Sequence, residues 1–450
     1  MVSNNYQSIG AALLTLEALD PDTCSTALDT LHDIIEIKRP QGPVLQTPLI
    51  LLQIFHLTQK AHDPEILAKA QSVLADGLSL PEMRRSVLSL VKENDLLTTL
   101  QNLEDQCLAS APSNAQTALH LLGFFLDWTY HTHPQHRRSL LINLARYIRI
   151  LRMTIIDTNP FDARFAAVQS MATLQHIWTL RPTSKAEGPL LLGLTFVLYD
   201  MLNDDDDEIR NVAAEATSRL LSTHASHQHR QPINPAVPIL TTHHLARFLT
   251  THFRTTPSLY NEATRRLTAT PPSTPLFSTP FAEAFQETRK QDSALFTTEK
   301  QNLFHDPTLD ALLWSRVLSS LPQSPSAPPP ALRESLTSWV LESLAELTRT
   351  AREEADGALG WSAKPEVFTL GMRVLCAAGV ALEWGSASSG QGKKGMGADV
   401  RKMLVEFVVA GRESGVHGLW VGKAERMLEA GVVGNLRGVY GMLVTVQRAL

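Results

Sequence analysis

The chain is poor in cysteine, in aromatics and in long uncharged apolar runs, and each shortage removes a class of protein. Its 450 residues hold three cysteines, Cys24, Cys107 and Cys376, far apart and odd in number. They offer neither a disulfide framework nor a CxxC metal pair, which suits a reducing compartment. Aromatics make up 6% of the chain, and no alternating Val/Ile/Thr run is long enough to argue for a sheet. The N-terminal stretch MVSNNYQSIGAALL lacks the basic n-region and the cleavage site of a secretory signal. The most apolar run, Leu190–Tyr199, is about half of the roughly 20 residues that a helix needs to cross a bilayer. A soluble, cytoplasmic protein that makes no use of a membrane is expected. Catalytic signatures are missing too: there is no GxSxG elbow, no local Cys/His motif and no Gly-rich strand–helix turn for a methyl donor. The glycines and lysines of GSASSGQGKKGMG at 385–397 do not make a phosphate loop. Ala387 stands at the first Gly position of GxxxxGK, and Lys393 is followed by Lys394 instead of Ser or Thr. Neither an enzymatic activity nor a cofactor is expected.

What the chain does have is helical periodicity broken by acidic turns. Leu198–Leu221, LYDMLNDDDDEIRNVAAEATSRLL, ends one apolar helix and starts another. In the second, Ile209, Val212, Ala213, Ala216, Leu220 and Leu221 share one face. Asp204 to Asp207 lie where a helix N-terminus leaves N–H groups unpaired, so one can cap and the others favour the dipole. Consecutive carboxylates point in different directions on such a turn, which argues against a metal site. Arg210 is placed to meet an acid on a neighbouring turn. Asn159–Leu174 repeats the logic with Arg164, Ala166 and Ala167, and Asp20-Pro and Asp63-Pro open two more helices, with Pro tolerated in the first turn. Asp204, Asp207, Arg210 and Arg164 thus form the expected ladder of a repeat array. The starts at Asp20, Asp63, Asp157 and Asp204 are 43, 94 and 47 residues apart, with room for another unit near Asp105. Such periods are those of HEAT and armadillo arrays, in which helix pairs bury their apolar faces only by stacking. An all-α, HEAT/armadillo-like superhelix is expected.

The pattern divides the chain into helical repeats over 1–225, a Pro/Thr/His-rich irregular linker over 226–280 that leaves room for short helices such as His243–Phe253, and a helical region over 281–450. Flexible loops are expected at 321–330, PQSPSAPPP and its flank, and at 385–397.

The blocks LYDMLNDDDDEIRNVAA, NPFDARFAAVQSM and EKQNLFHDPTLDALLWSRVL (Glu299–Leu318) resemble, in that order and separation, the C-terminal part of the thyroid adenoma-associated protein family. The resemblance covers about residues 150–320. Its fungal members look like regulatory subunits of a tRNA ribose methyltransferase. Members are several times longer than this chain, which then corresponds to a C-terminal piece. The resemblance implies a non-catalytic scaffold that binds an FtsJ-type methyltransferase, the pair methylating the 2′-hydroxyl of anticodon-loop nucleotide 32. The catalytic residues and methyl-donor pocket would belong to the partner. An adaptor in transport or trafficking would use the same helical physics.

Direct contact with tRNA would need a local patch, because the net charge is −5. One stretch qualifies. Between Asp127 and Asp157 there is no acid, while Arg137, Arg138, Arg146, Arg149 and Arg152 all occur. Arg138, Arg146, Arg149 and Arg152 share one helical arc opposite an apolar face, so they can track phosphates, face a partner or bridge to acids of an adjacent repeat. The histidines in H-x-H-x-x-H (His131, His133, His136) and at His224, His227 and His229 lack the Cys or further His of a closed zinc site.

Overall fold

A computed structural model describes residues 12, 21–38, 47–61, 63–133, 135, 137–180, 185–224, 238–271, 273–290, 306–321, 328–354, 360–387 and 395–429. Among these residues there are eighteen α-helices, three short 3-10 turns and no strand, as the periodicity predicts. The helices divide between two compact units, one of 1–181 with 193–230, the other of 182–192 with 231–450.

The first unit contains α1 (Pro21–Lys38), α2 (Thr47–Lys60), α3 (Pro64–Leu78), α4 (Pro81–Leu88), α5 (Glu93–Ala109), α6 (Gln116–Thr132), α7 (Arg137–Thr154), α8 (Phe161–Ala172), most of α9 (Glu187–Leu202) and α10 (Asp207–His224). Helices pack on their neighbours and on the next but one: α1 on α3, α2 on α4, α5 on α7, α6 on α8, α8 on α10. That alternation is the packing of stacked helical repeats, in which each pair is covered by the pair that follows. α6 and α8 approach closely because Gly123 has no side chain. A Cβ there would sit 2.8 Å from the Ser170 carbonyl oxygen. Ser170 Oγ uses the proximity to donate to Leu119 O at 2.6 Å.

Helix starts follow the expected chemistry in part. Asp63 accepts from the Glu65 and Ile66 N–H groups at 2.9 and 3.1 Å, with Pro64 in the first turn. Asp306 does the same for Thr308 and Leu309 at 2.8 and 3.2 Å. Asp157 does not open a helix; α8 begins at Phe161 behind Pro160. Asp105 lies inside α5, because the buried stripe Leu96, Leu100, Leu103 and Cys107 continues on both sides of it. The three cysteines are free and buried.

The second unit contains α11 (Pro238–His252), α12 (Ser258–Leu267), α13 (Phe281–Lys290), α14 (Pro307–Ser320), α15 (Pro330–Glu353), α16 (Pro365–Ala387), α17 (Gly395–Ser414) and α18 (Gly418–Glu429). The same next-but-one packing links α12 to α14, α13 to α15, α14 to α16, α15 to α17 and α16 to α18. α11 and α12 fall in the span read as a linker, whose residues 226–237 lie outside the described residues, as do 322–327 and 388–394 of the two expected loops. Helix α16 is the apolar centre. Its segment Pro365–Gly385 is long and apolar enough to cross a membrane, yet 72% of its most apolar window is buried inside the fold. It therefore reads as a core helix. Gly371 on α16 leaves room for Trp420, whose indole is fully buried and donates to Phe368 O at 3.1 Å.

One acid on α16 gives a testable pH dependence. Burial pushes the Glu383 carboxyl up to about 7, against a weaker opposing hydrogen bond with Ser319. A folded-state value above the unfolded one means that protonation favours folding. The contribution is fully present below about pH 4.5 and is lost as pH rises through 7. Glu383→Gln should therefore stabilise the protein at pH 8 by roughly 1–3 kcal/mol, and the gain should vanish near pH 5. Denaturant melts at both pH values check it; an equal effect at the two would reject the burial argument.

Candidate partner-binding surface

The acidic turn before α10 joins two repeats. Arg164, on the first turn of α8, inserts between Asp204 and Asp205; its guanidinium bonds the Asp204 carboxylate and reaches Asp205 Oδ1 at 2.6 Å. The Arg164 and Asp204 side chains are 9% and 2% exposed, whereas Asp205 is 63% exposed. Asp204 also accepts from the Asp206 N–H at 3.0 Å, and Asp206 accepts from the Glu208 N–H at 3.0 Å. Asp206 therefore caps the turn. Burial pushes the Asp204 carboxyl up, opposed by the Asp206 N–H and Arg164, while the Arg164 bond holds Asp205 below the usual carboxylate range. Arg210 reaches the same turn but through the backbone, donating to Asp204 O at 2.7 Å. Asp207 is exposed at the first position of α10. Sequence periodicity found these residues but not their division of labour. Arg164 meets the acids, and Arg210 bonds the backbone of their turn.

A second buried network lies in the other unit and was not anticipated. Arg373 on α16, 6% exposed, donates to the carbonyls of Arg266 and Leu267 at 2.6 and 3.1 Å, at the C-terminus of α12. There it meets the carbonyls of the last helical turn and the negative end of the helix dipole. The same guanidinium reaches Asp310 Oδ2 at 3.2 Å, and Trp314 Nε1 donates to Asp310 Oδ1 at 2.6 Å. One cation thus ties α12, α14 and α16 together. Asp310 and Trp314 belong to the DPTLDALLWSRVL block of the family resemblance; Glu299–His305 of that block lie outside the described residues. The missed signal was local: Asp310 and Trp314 are one helical turn apart within an otherwise apolar run.

The four arginines of α7 separate. Arg146 is half-buried and donates to Glu104 Oε2 at 3.1 Å and Gln101 Oε1 at 2.8 Å on α5. Glu104 is completely buried and also accepts from Asn143 at 2.7 Å. Burial pushes its carboxyl up, and the Asn143 and Arg146 bonds pull it back. Arg138, Arg149 and Arg152 are exposed and pair with no carboxylate among the described residues. The expected bridge to an acid of an adjacent repeat exists at Glu104.

The histidines do not converge. His131 stacks on His176, ring centroids 3.8 Å apart, and His133 lies 3.5 Å from Glu93. His136, His227 and His229 lie outside the described residues. Buried Asp127 accepts from the His176 ring and from the His176 and Ile177 backbone, each at 2.8 Å, which fixes the turn after α8. No group of three potential metal ligands occurs among the described residues. A cavity of about 340 Å³ between α2, α3, α5 and α6 is lined by Gln59, Gln71, Gln106, Leu74 and Phe125. Two of its amides, Gln71 and Gln106, bond each other at 2.7 Å.

Residues 247–432 match the family described as the Trm72 ARM-like repeat region. That stretch is Trm72-like. It holds the whole Arg373 network and ends before the last 18 residues. In addition, 198 residues, 44% of the chain, align at 27% identity with the tRNA (32-2′-O)-methyltransferase regulator trm732 of Schizosaccharomyces pombe. The aligned stretch covers 12% of that protein's length. The Trm72-like region includes the EKQNLF block but begins after the acidic turn at Asp204, so the match lies further towards the C-terminus than the sequence blocks suggest. α7 and the Arg164 junction lie outside it.

Proposed function

We propose that the chain is a non-catalytic helical-repeat scaffold, forming all or part of the regulatory subunit of a tRNA 2′-O-ribose methyltransferase that acts on anticodon-loop nucleotide 32. The observation that carries this reading is the alignment with a protein named as a regulator of that methylation, together with the Trm72-like repeat region. The division of labour suits the residues. The strongest polar clusters, at Arg164 and Arg373, are engaged in joining helices to one another. The partner is an FtsJ-type methyltransferase in the cytoplasm, which supplies the methyl-donor site, while the scaffold presents and orients it.

Deleting the gene should lower ribose methylation at tRNA position 32, read by mass spectrometry of the anticodon fragment. The purified chain alone should bind no S-adenosylmethionine in a calorimetric titration. Normal methylation after deletion would favour a transport or trafficking adaptor. Stoichiometric, micromolar binding of the methyl donor would make the chain an enzyme in its own right.

A further inference from the structure

We propose that the exposed face of α7 docks an acidic amphipathic helix of a protein partner, not a nucleic-acid backbone. Arg138, Ile142, Ala145, Arg149, Arg152 and Met153 are all exposed and fall within about 100° of one another around the helix axis. Ile142 is 62% exposed and Met153 44%. Arg146 lies at the edge of this arc and is turned to Glu104, which removes it from the face. The outward face therefore alternates guanidinium groups with large aliphatic side chains over about four turns.

A surface that follows phosphates gains from cations and polar groups, and an isoleucine in its midst contributes nothing to phosphate binding. A helix laid along α7 uses both components. Its aliphatic residues, repeating at i, i+3, i+4 and i+7, cover Ile142, Ala145 and Met153, and its flanking Glu and Asp take the planar guanidinium forks in bidentate pairs. Charge complementarity selects the partner's sign. Residues 128–156 carry five arginines and no acid or lysine, in a chain whose net charge is −5. It also disfavours a second copy of this chain on the same face, since two identical patches meeting about a two-fold axis would oppose arginine to arginine. The inference holds whichever enzyme or adaptor the partner belongs to, and so stands or falls separately from the tRNA-methylation reading.

The test uses the full chain and a synthetic helical peptide of roughly 18 residues, long enough to lie along four to five turns. The peptide carries leucines at i, i+3, i+4 and i+7 flanked by glutamates; a second peptide has the leucines changed to serine, and unmodified tRNA serves as the nucleic-acid probe. The expected result is binding of the first peptide only, weakened at least tenfold by Ile142→Ser with Met153→Ser and, separately, by Arg149→Gln with Arg152→Gln. Unchanged circular-dichroism melts confirm that these exposed changes leave the fold intact. Peptide binding indifferent to the Ile142/Met153 pair would overturn the proposal. So would tRNA binding whose salt dependence flattens with the arginine changes and ignores the aliphatic ones, which would make the face a phosphate track.

Discussion

Replacing Arg373 by methionine should destabilise the second unit by about 3–5 kcal/mol, because it breaks a buried ion pair from one side. The substitution keeps much of the side-chain volume but takes the guanidinium away from Asp310 and removes a donor to the Arg266 and Leu267 carbonyls. Asp310→Asn should cost less, since an amide oxygen can still accept from Trp314 Nε1. Denaturant titration reads both. If Arg373→Met leaves the midpoint where it was, α12, α14 and α16 are held by apolar packing alone. Joint replacement of Arg373 and Asp310 by apolar residues should recover part of the loss, as the orphaned charge is then gone.

A second large effect is expected at the acidic turn. Arg164→Met strands the Asp204 carboxylate inside the first unit, at a cost of about 3 kcal/mol. Arg210→Ala removes one bond to a backbone carbonyl and should cost nearer 1 kcal/mol. Asp205→Asn should matter least, since Asp205 is mostly exposed and its pairing is screened by water. The order Arg164, Arg210, Asp205 is the measurable claim. An Arg210 variant less stable than the Arg164 variant would mean that the turn is held chiefly through its backbone.

How far these two sites were visible in the sequence depends on the kind of signal each leaves. Apolar residues at helical spacing announce α8 and α10, and the turn residues between them fix where Asp204 to Asp207 lie, so all members of the Arg164 junction could be named. Which arginine pairs with which acid could not, because Arg164 and Asp204 are 40 residues apart and meet only once the repeats stack. The same limit applies to Arg146, whose partner Glu104 carries no mark distinguishing it from a solvated helical acid until its burial is seen. Arg373 was invisible for a different reason. It interrupts an apolar helix once, with no period, and two of its partners are main-chain carbonyls, which have no sequence signature. The Asp157 and Asp105 starts went wrong because a lone Asp can also sit within a helix or just ahead of one. Asp followed directly by Pro, as at Asp63, marked the start correctly.

The span of the Arg373 bond sets a clock on biosynthesis. Between described residues of the first unit, side-chain hydrogen bonds span no more than 51 positions, as from Ser170 to Leu119, so its helices can settle one after another as they leave the ribosome. Arg373 and Arg266 are separated by 107 residues. At roughly 5–20 residues per second, the C-terminal carbonyls of α12 wait on the order of 5–20 s for their donor. Until Arg373 is made, α12 and, once synthesised, α14 lack the cation that joins them. Nascent chains arrested between Ser320 and Arg373 should therefore be cut by protease within α12 and α14, and chains extended past α16 should resist.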